Sequence, residues 1–363
     1  MQSLTAAAFT MPRDATHGVL HTSVSAWDEL CVITNQDHRL TEEALASMRA
    51  LVTMLRDDGL REKRLVDDWP EPDSPAGSQA RTRALFSGVT NGTERNDLIG
   101  GNYARPTDAL PGGCGYQNVG EVIEVGPDVE GLAAGDLLYM SQDHLEFCLE
   151  NEDGLHIKLP DDVEPEHAAL FGVGGVAMRC CRNADLRMGD QFLVVGAGIV
   201  GQLAAQIANA MGARVTLCDV DERRLTVARE LGAAEEVVDV AGEQWAGRIP
   251  DGGFRAVLDV AGVSGMEDDL IRAAEHGGSV LFIAGRHKVE YTFNLAQGRE
   301  ITIKQNSHFD RSDLDNLCRL VRRGQVRFAP IIQDVVPISE AARVYDTLRD
   351  EPALLLGTVF DWR

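Results

Sequence analysis

The stretch QFLVVGAGIVGQLAAQIANAMGARVTLCDVDERR, residues 191–224, places a strand, a glycine turn, a helix and an acid-tipped second strand in one unit. Phe192–Val195 is a short apolar run. It leads into Gly196-Ala197-Gly198-Ile199-Val200-Gly201, a G-x-G-x-x-G sited where a buried strand turns into a helix. In that setting Gly196 permits the tight turn, Gly198 lets the backbone approach a pyrophosphate, and Gly201 lets helix and strand pack closely. Ile199 and Val200 open the helix whose positive dipole end faces the phosphates. A helix is expected over Gln202–Met211, then a strand over Arg214–Cys218 that ends in Asp219, about 20 residues beyond the glycines, where a carboxylate binds ribose hydroxyls. The unit predicts a bound dinucleotide. Asp219 favours NAD(H) over NADP(H), because a 2′-phosphate would meet its charge, while Arg223 and Arg224 nearby soften that repulsion.

The rest of the composition narrows the class. With 363 residues, 44% hydrophobic and 25% charged, the chain has material for two domains. Its 34 basic and 57 acidic residues give a formal charge of −23, with no basic stripe. Binding to nucleic acid or to an anionic membrane is therefore not expected. The seven cysteines, at 31, 114, 148, 180, 181, 218 and 318, include no C-x-x-C pair, which argues against a disulfide framework or a thiolate zinc lobe and for a reducing cytoplasm. Neither a signal peptide nor an apolar run of about 20 residues is apparent.

Beyond Asp219 helix and strand alternate: helix Glu222–Leu231, strand Glu236–Val240, a helix near Gln244, strand Arg255–Val260, helix Met266–Glu275, then strands Ser279–Ala284 and Glu300–Lys304. That rhythm predicts a doubly wound parallel sheet with its ligand at the carboxyl ends of the strands, so Ala284 joins the cofactor set. Between about 81 and 160 the pattern is β-rich, with strands at Arg81–Phe86, Gly120–Val125 and Leu137–Tyr139 separated by Gly, Pro and Asp turns. The tail adds a helix Asp313–Arg323, the segment Ile331–Val336, a helix Ser339–Arg349 and a strand Gly357–Phe360. Leu40–Leu55 reads as helix or strand, and the strand over Met48–Thr53 is preferred. Residues 1–47 then form an N-terminal extension.

From Met48 to Arg363 the chain resembles the medium-chain dehydrogenase/reductase superfamily. The likeness lies in the fingerprint, in Leu65–Leu85, in Gly120-Glu121-Val122-Ile123-Glu124-Val125-Gly126, in Ala133-Ala134-Gly135-Asp136 and in Leu348–Trp362. The resemblance implies an α/β chain with two parts. A GroES-like β-barrel catalytic domain would span 48–173 and 307–363, and a Rossmann domain 174–306, with the active site between them and a homodimer or homotetramer as the assembly. The zinc-dependent branch holds its metal by a cysteine after S-G-[IV], a histidine in G-H-E and a third cysteine or acid. Here Thr90 follows Ser87-Gly88-Val89, Gly115-Tyr116-Gln117 stands at G-H-E, and Val173 falls near the third position. No zinc is therefore expected. Ser87–Arg95 resembles the S-G-x-x-x-G-T-E run of the branch that includes bacteriochlorophyllide dehydrogenase. Gln117, where that branch carries Glu, is a departure.

Without a metal, the alcohol or carbonyl oxygen needs a hydrogen-bonding acid. Tyr116 is the first candidate, Glu94 the second as base or orienting group, with Thr90 beside them. His308 is a candidate where the chain crosses the cleft, and Asn306, Ser307, His144 and Arg286-His287-Lys288 are weaker ones. The leading expectation is a zinc-independent, NAD(H)-preferring interconversion of a secondary alcohol and a ketone on a hydroxylated or specialised small molecule. Alternatives are reduction of an activated C=C bond by NADPH and an idle NAD(H)-binding or redox-sensing protein.

Overall fold

The computed structural model describes residues 46–242 and 249–363. Almost all of the expected N-terminal extension, and the helix expected near Gln244, lie outside the described residues. The ambiguity at Leu40–Leu55 resolves as strand where it is described, since Ser47–Leu55 is β1. It is followed by β2 (Arg61–Pro70), β3 (Gln79–Gly88), helix α1 (Asn91–Leu98), β4 (Gly112–Gly113), β5 (Asn118–Val125), β6 (Leu137–Met140), β7 (Phe147–Asn151) and β8 (His156–Lys158). Helices α2 (Pro165–Ala168) and α3 (Phe171–Asn183) lead to β9 (Gln191–Val195), α4 (Ile199–Ala210), β10 (Arg214–Asp219), α5 (Glu222–Leu231) and β11 (Glu236–Asp239). Next come β12 (Phe254–Asp259), α6 (Glu267–Ala273), β13 (Ala274–Phe282), α7 (Phe293–Gly298) and β14 (Thr302–Lys304). The tail is α8 (Arg311–Arg322), β15 (Ile332–Pro337), α9 (Ala341–Asp350) and β16 (Gly357–Asp361).

Two kinds of sheet result, and the sequence periodicity explains both. The strands β11-β10-β9-β12-β13-β14 pair in that order and in parallel. Helices on the faces of such a sheet bury both sides of its central strands, which is why Phe192–Val195 and Ala256–Leu258 are continuous apolar runs. The β-rich part instead joins β15, β16, β3, β5, β6 and β8, with β7 also on β3, and a smaller sheet β2-β1-β4 beside it. There apolar and polar positions alternate, as in β3, where Ala80, Thr82, Ala84 and Phe86 are buried.

Two boundaries are instructive. Helix α5 begins at Asp221, whose side chain accepts from the Arg223 amide, and ends at Gly232 with φ 59°, as the Leu231-Gly232 signal predicts. The expected helix Met266–Glu275 is shorter: it stops at Ala273, and Glu275-His276-Gly277-Gly278 belongs to a strand rather than a helix stop. The register between β12 and β13 shifts there, and the Gly277 amide donates to the Arg299 carbonyl at 2.8 Å, so the glycines serve an irregular strand start.

The small sheet and α1 are tied by one buried carboxylate. Asp97 accepts from Thr53 Oγ1 at 2.9 Å, Arg61 Nη1 at 3.0 Å and the Arg105 amide at 3.1 Å, and it pairs with the buried Lys63 ammonium. Asp97→Ala would take from Lys63 its hydrogen-bonded counter-charge; urea unfolding should register a loss of about 3–5 kcal/mol, and a loss below 1 would remove Asp97 from this role.

Candidate active site

Three segments converge: the turn from β3 into α1, the loop before β5, and the start of α3. Gln117 joins them. Its side chain is fully buried; Nε2 donates to the Gly88 carbonyl at 3.1 Å and to Thr90 Oγ1 at 3.2 Å, and Oε1 accepts from the Val173 amide at 2.9 Å. Gly172 must be glycine for this approach, because a Cβ there would lie 2.8 Å from Gln117 Cγ and 2.6 Å from the Tyr139 hydroxyl. Thr90, Tyr116 and Val173 are thus brought to one place, as the resemblance implies.

Tyr116 lies on this floor. Burial pushes its phenol up to about 12; hydrogen bonds with Thr90 and Thr93 partly oppose that, and the Glu94 charge adds to it. His308 stands edge-on to the Tyr116 ring, with centroids 5.4 Å apart, and its Nε2 lies 3.3 Å from Ser141 Oγ. Burial, with the Arg179 charge in support, pushes the imidazole down to about 4, so it is neutral near pH 7.

Glu94 sits behind the floor at 3% exposure, which takes it out of direct reach from the cleft. Its Oε1 accepts from the Thr90 amide at 2.6 Å; its Oε2 accepts from the Tyr345 hydroxyl and lies 3.4 Å from His144 Nε2. Burial alone would raise its pKa, but His144, Lys63 and the Tyr345 hydroxyl together hold it below the usual glutamate range. Arg95, the next residue, is turned elsewhere, its Nε donating to the Leu348 carbonyl. Asn91 anchors the chain end by donating to the Leu355 and Leu356 carbonyls at 3.1 and 2.9 Å. Asn306 Nδ2 lies 3.6 Å from Cys180 Sγ.

The glycine turn fits a dinucleotide phosphate. Gly196 has φ 107°, a conformation L side chains rarely adopt, and a Cβ on Gly201 would collide with the Gly196 carbonyl. Gly198 has open space where a Cβ would stand and caps α4 without a side-chain hydrogen bond. The first amides of α4, from Ile199 through Gly201, therefore face outward with no intrahelical acceptor. Asp219 Oδ2 accepts from the Ala197 amide at 2.6 Å, and Oδ1 accepts from the Val220 and Asp221 amides at 2.7 and 2.9 Å. Arg224 Nη1 is 3.8 Å from Asp219, and its buried Nε has no hydrogen-bond partner among the described residues. Ala284 stands just past β13, its amide 3.3 Å from the Asp259 carbonyl.

Arg286 is committed elsewhere. It pairs with Asp259 and lies 3.5 Å from Glu267, which removes it from the weaker ligand-binding candidates. Two residues escaped the sequence reading. Tyr345 belongs to an amphipathic helix more than 200 positions from Glu94, with no local signal of their contact. Tyr103 crosses toward the parallel sheet, and a Cβ on Gly285 would lie 3.0 Å from its Cζ and 3.1 Å from its hydroxyl.

Known proteins share this fold. Residues 200–323 match the family model described as zinc-binding dehydrogenase. An L-threonine 3-dehydrogenase of Pseudoalteromonas atlantica is 28% identical over 71% of this chain and 85% of its own length. One from Aeromonas hydrophila is 31% identical over 50% of this chain and 62% of its own length. The solved 2R,3R-butanediol dehydrogenase of Bacillus subtilis superposes with a TM-score of 0.74 at 20% identity, covering 87% of this chain and all of that one. Among the described residues no helix is long and apolar enough to cross a membrane. The chain is an oxidoreductase with the catalytic-plus-Rossmann architecture of these dehydrogenases.

Proposed function

We propose that this protein is an NAD(H)-preferring oxidoreductase that interconverts a secondary alcohol and a ketone on a hydroxylated small molecule, with Tyr116 in place of a metal. The observation that carries this reading is the Gln117 clasp, which joins Thr90 to Val173, two of the three positions where the zinc-dependent branch places its ligands, with Tyr116, the third, next to it in the chain. Thr90 gives a hydroxyl already engaged by Gln117, Tyr116 a protonated phenol, and Val173 an aliphatic side chain whose amide is spent on Gln117. That donor set does not fit Zn²⁺, which takes thiolate, imidazole or carboxylate ligands.

Bound NAD(H) would supply or accept the hydride at its nicotinamide ring. The chain's own residues handle the oxygen. A phenol near pKa 12 stays protonated through neutral pH, so Tyr116 is a hydrogen-bond donor to a carbonyl oxygen and gives up its proton as alkoxide character develops there. Glu94, kept anionic, fixes the Thr90 amide and discourages Tyr116 from ionising, which suits the orienting one of its two expected roles rather than that of base. Neutral His308 walls the other side of the phenol without adding charge. Asp219 supports NAD(H) over NADP(H), with Arg224 the counterweight.

A panel of ketones and secondary alcohols, including L-threonine and 2R,3R-butanediol because relatives carry those names, should yield turnover with NADH or NAD⁺. On that substrate Tyr116→Phe should lose about 10²- to 10⁴-fold in kcat while binding NADH as before; unchanged kcat would remove the phenol from the chemistry. Asp219→Ser should weaken NAD⁺ binding about tenfold and narrow its advantage over NADP⁺, read by fluorescence titration. Glu94 gives an acid signature. Its folded pKa lies below the ordinary 4.5, so its contribution to stability is complete above that pH and is lost as pH falls through the folded value. Thermal melts of Glu94→Gln should therefore show lower stability at neutral pH and a shallower loss on acidification.

A further inference from the structure

Along α8 the chain's charge balance inverts. A cavity of about 650 Å³ lies between α8 and the β8 region, edged by Lys158, Arg311, Arg319, Arg322 and Arg323, with only Asp162 and Asp315 as opposing carboxylates. Its floor is uncharged, formed by Ile157, Pro160 and Cys318. On α8 the positions 311, 315, 318, 319 and 322 recur at helical spacing, so they share one face.

In a chain with 57 acidic residues to 34 basic ones, most arginines find a carboxylate. Here Arg322 does so with Asp162 at 2.8 Å and Lys158 with Asp136 at 2.7 Å, whereas Arg311, Arg319 and Arg323 form no ion pair among the described residues. Favourable interaction with the negative helix end accounts for cations at 319, 322 and 323. It does not account for Arg311, which opens the helix, where the dipole disfavours a cation. An anion held in the cavity would offset both that placement and the mutual repulsion.

We propose that this cavity is a binding site for a small multivalent oxyanion, an oligophosphate or a phosphorylated metabolite, separate from the dinucleotide turn. Its volume is that of a small-molecule site, and guanidinium groups match phosphate oxygens in forked pairs. The overall negative charge favours a free anion over an anionic membrane, from which the rest of the surface is repelled.

Calorimetric titration of the full chain with sodium tripolyphosphate, at low ionic strength and saturating NADH, tests this. Saturable binding should appear, weaken as salt is raised, and weaken about tenfold or more in Arg319→Gln/Arg323→Gln, whose NADH affinity and melting temperature stay at wild-type values. Three results would overturn it: no saturable binding, equal binding by the variant, or displacement of tripolyphosphate by NADH, which would assign the anion to the start of α4. Capture by phosphatidic-acid vesicles without binding of free tripolyphosphate would overturn it as well.

Discussion

The amide of Gln117 is the contact on which the candidate site depends. One side chain can satisfy a carbonyl, a hydroxyl and a backbone amide at once only if both ends of its amide are used, and here they are. Because the group is fully buried, leaving any of those partners unpaired would cost about 1–3 kcal/mol each. The clasp therefore fixes the end of β3 against the start of α3, the junction between the antiparallel and parallel sheets. A glutamate in its place could accept from Val173 but would lack the Nε2 donor for Gly88 and Thr90.

That constraint shapes the electrostatics around it. With Thr90 held from below by Gln117 and through its amide by Glu94, the Tyr116 phenol meets oriented hydroxyls on a rigid floor. Glu94 is balanced from behind by His144, Lys63 and Tyr345, so its charge bears on the site without entering it. Lys63 in turn belongs to the Asp97 cluster that ties the small sheet to α1. Charge is thus layered outward from the phenol, and each layer is neutralised by the next.

The parallel half was the more legible in the sequence, since its central strands are buried on both faces and helices such as α5 carry their own stop. The glycine turn, Asp219 and the run of β9 to β10 follow from local pattern alone. Legibility failed where function rests on contacts distant in sequence. Glycines after Glu275 read as a helix stop because the partner that makes them a strand, Arg299, lies more than 20 residues on. Glu94 read as a cleft residue because nothing near it announces Tyr345 or His144. Gln117 registered only as a departure from a pattern, and its role emerges once Gly88, Thr90 and Val173 are seen around it.

The most direct test of the account is a single-turnover measurement of NADH oxidation by a ketone that the wild type reduces, made on protein prepared in chelator with its metal content determined. The account predicts a full active-site burst from zinc-free protein, unchanged when zinc is added. A burst that grows in proportion to added zinc would contradict it.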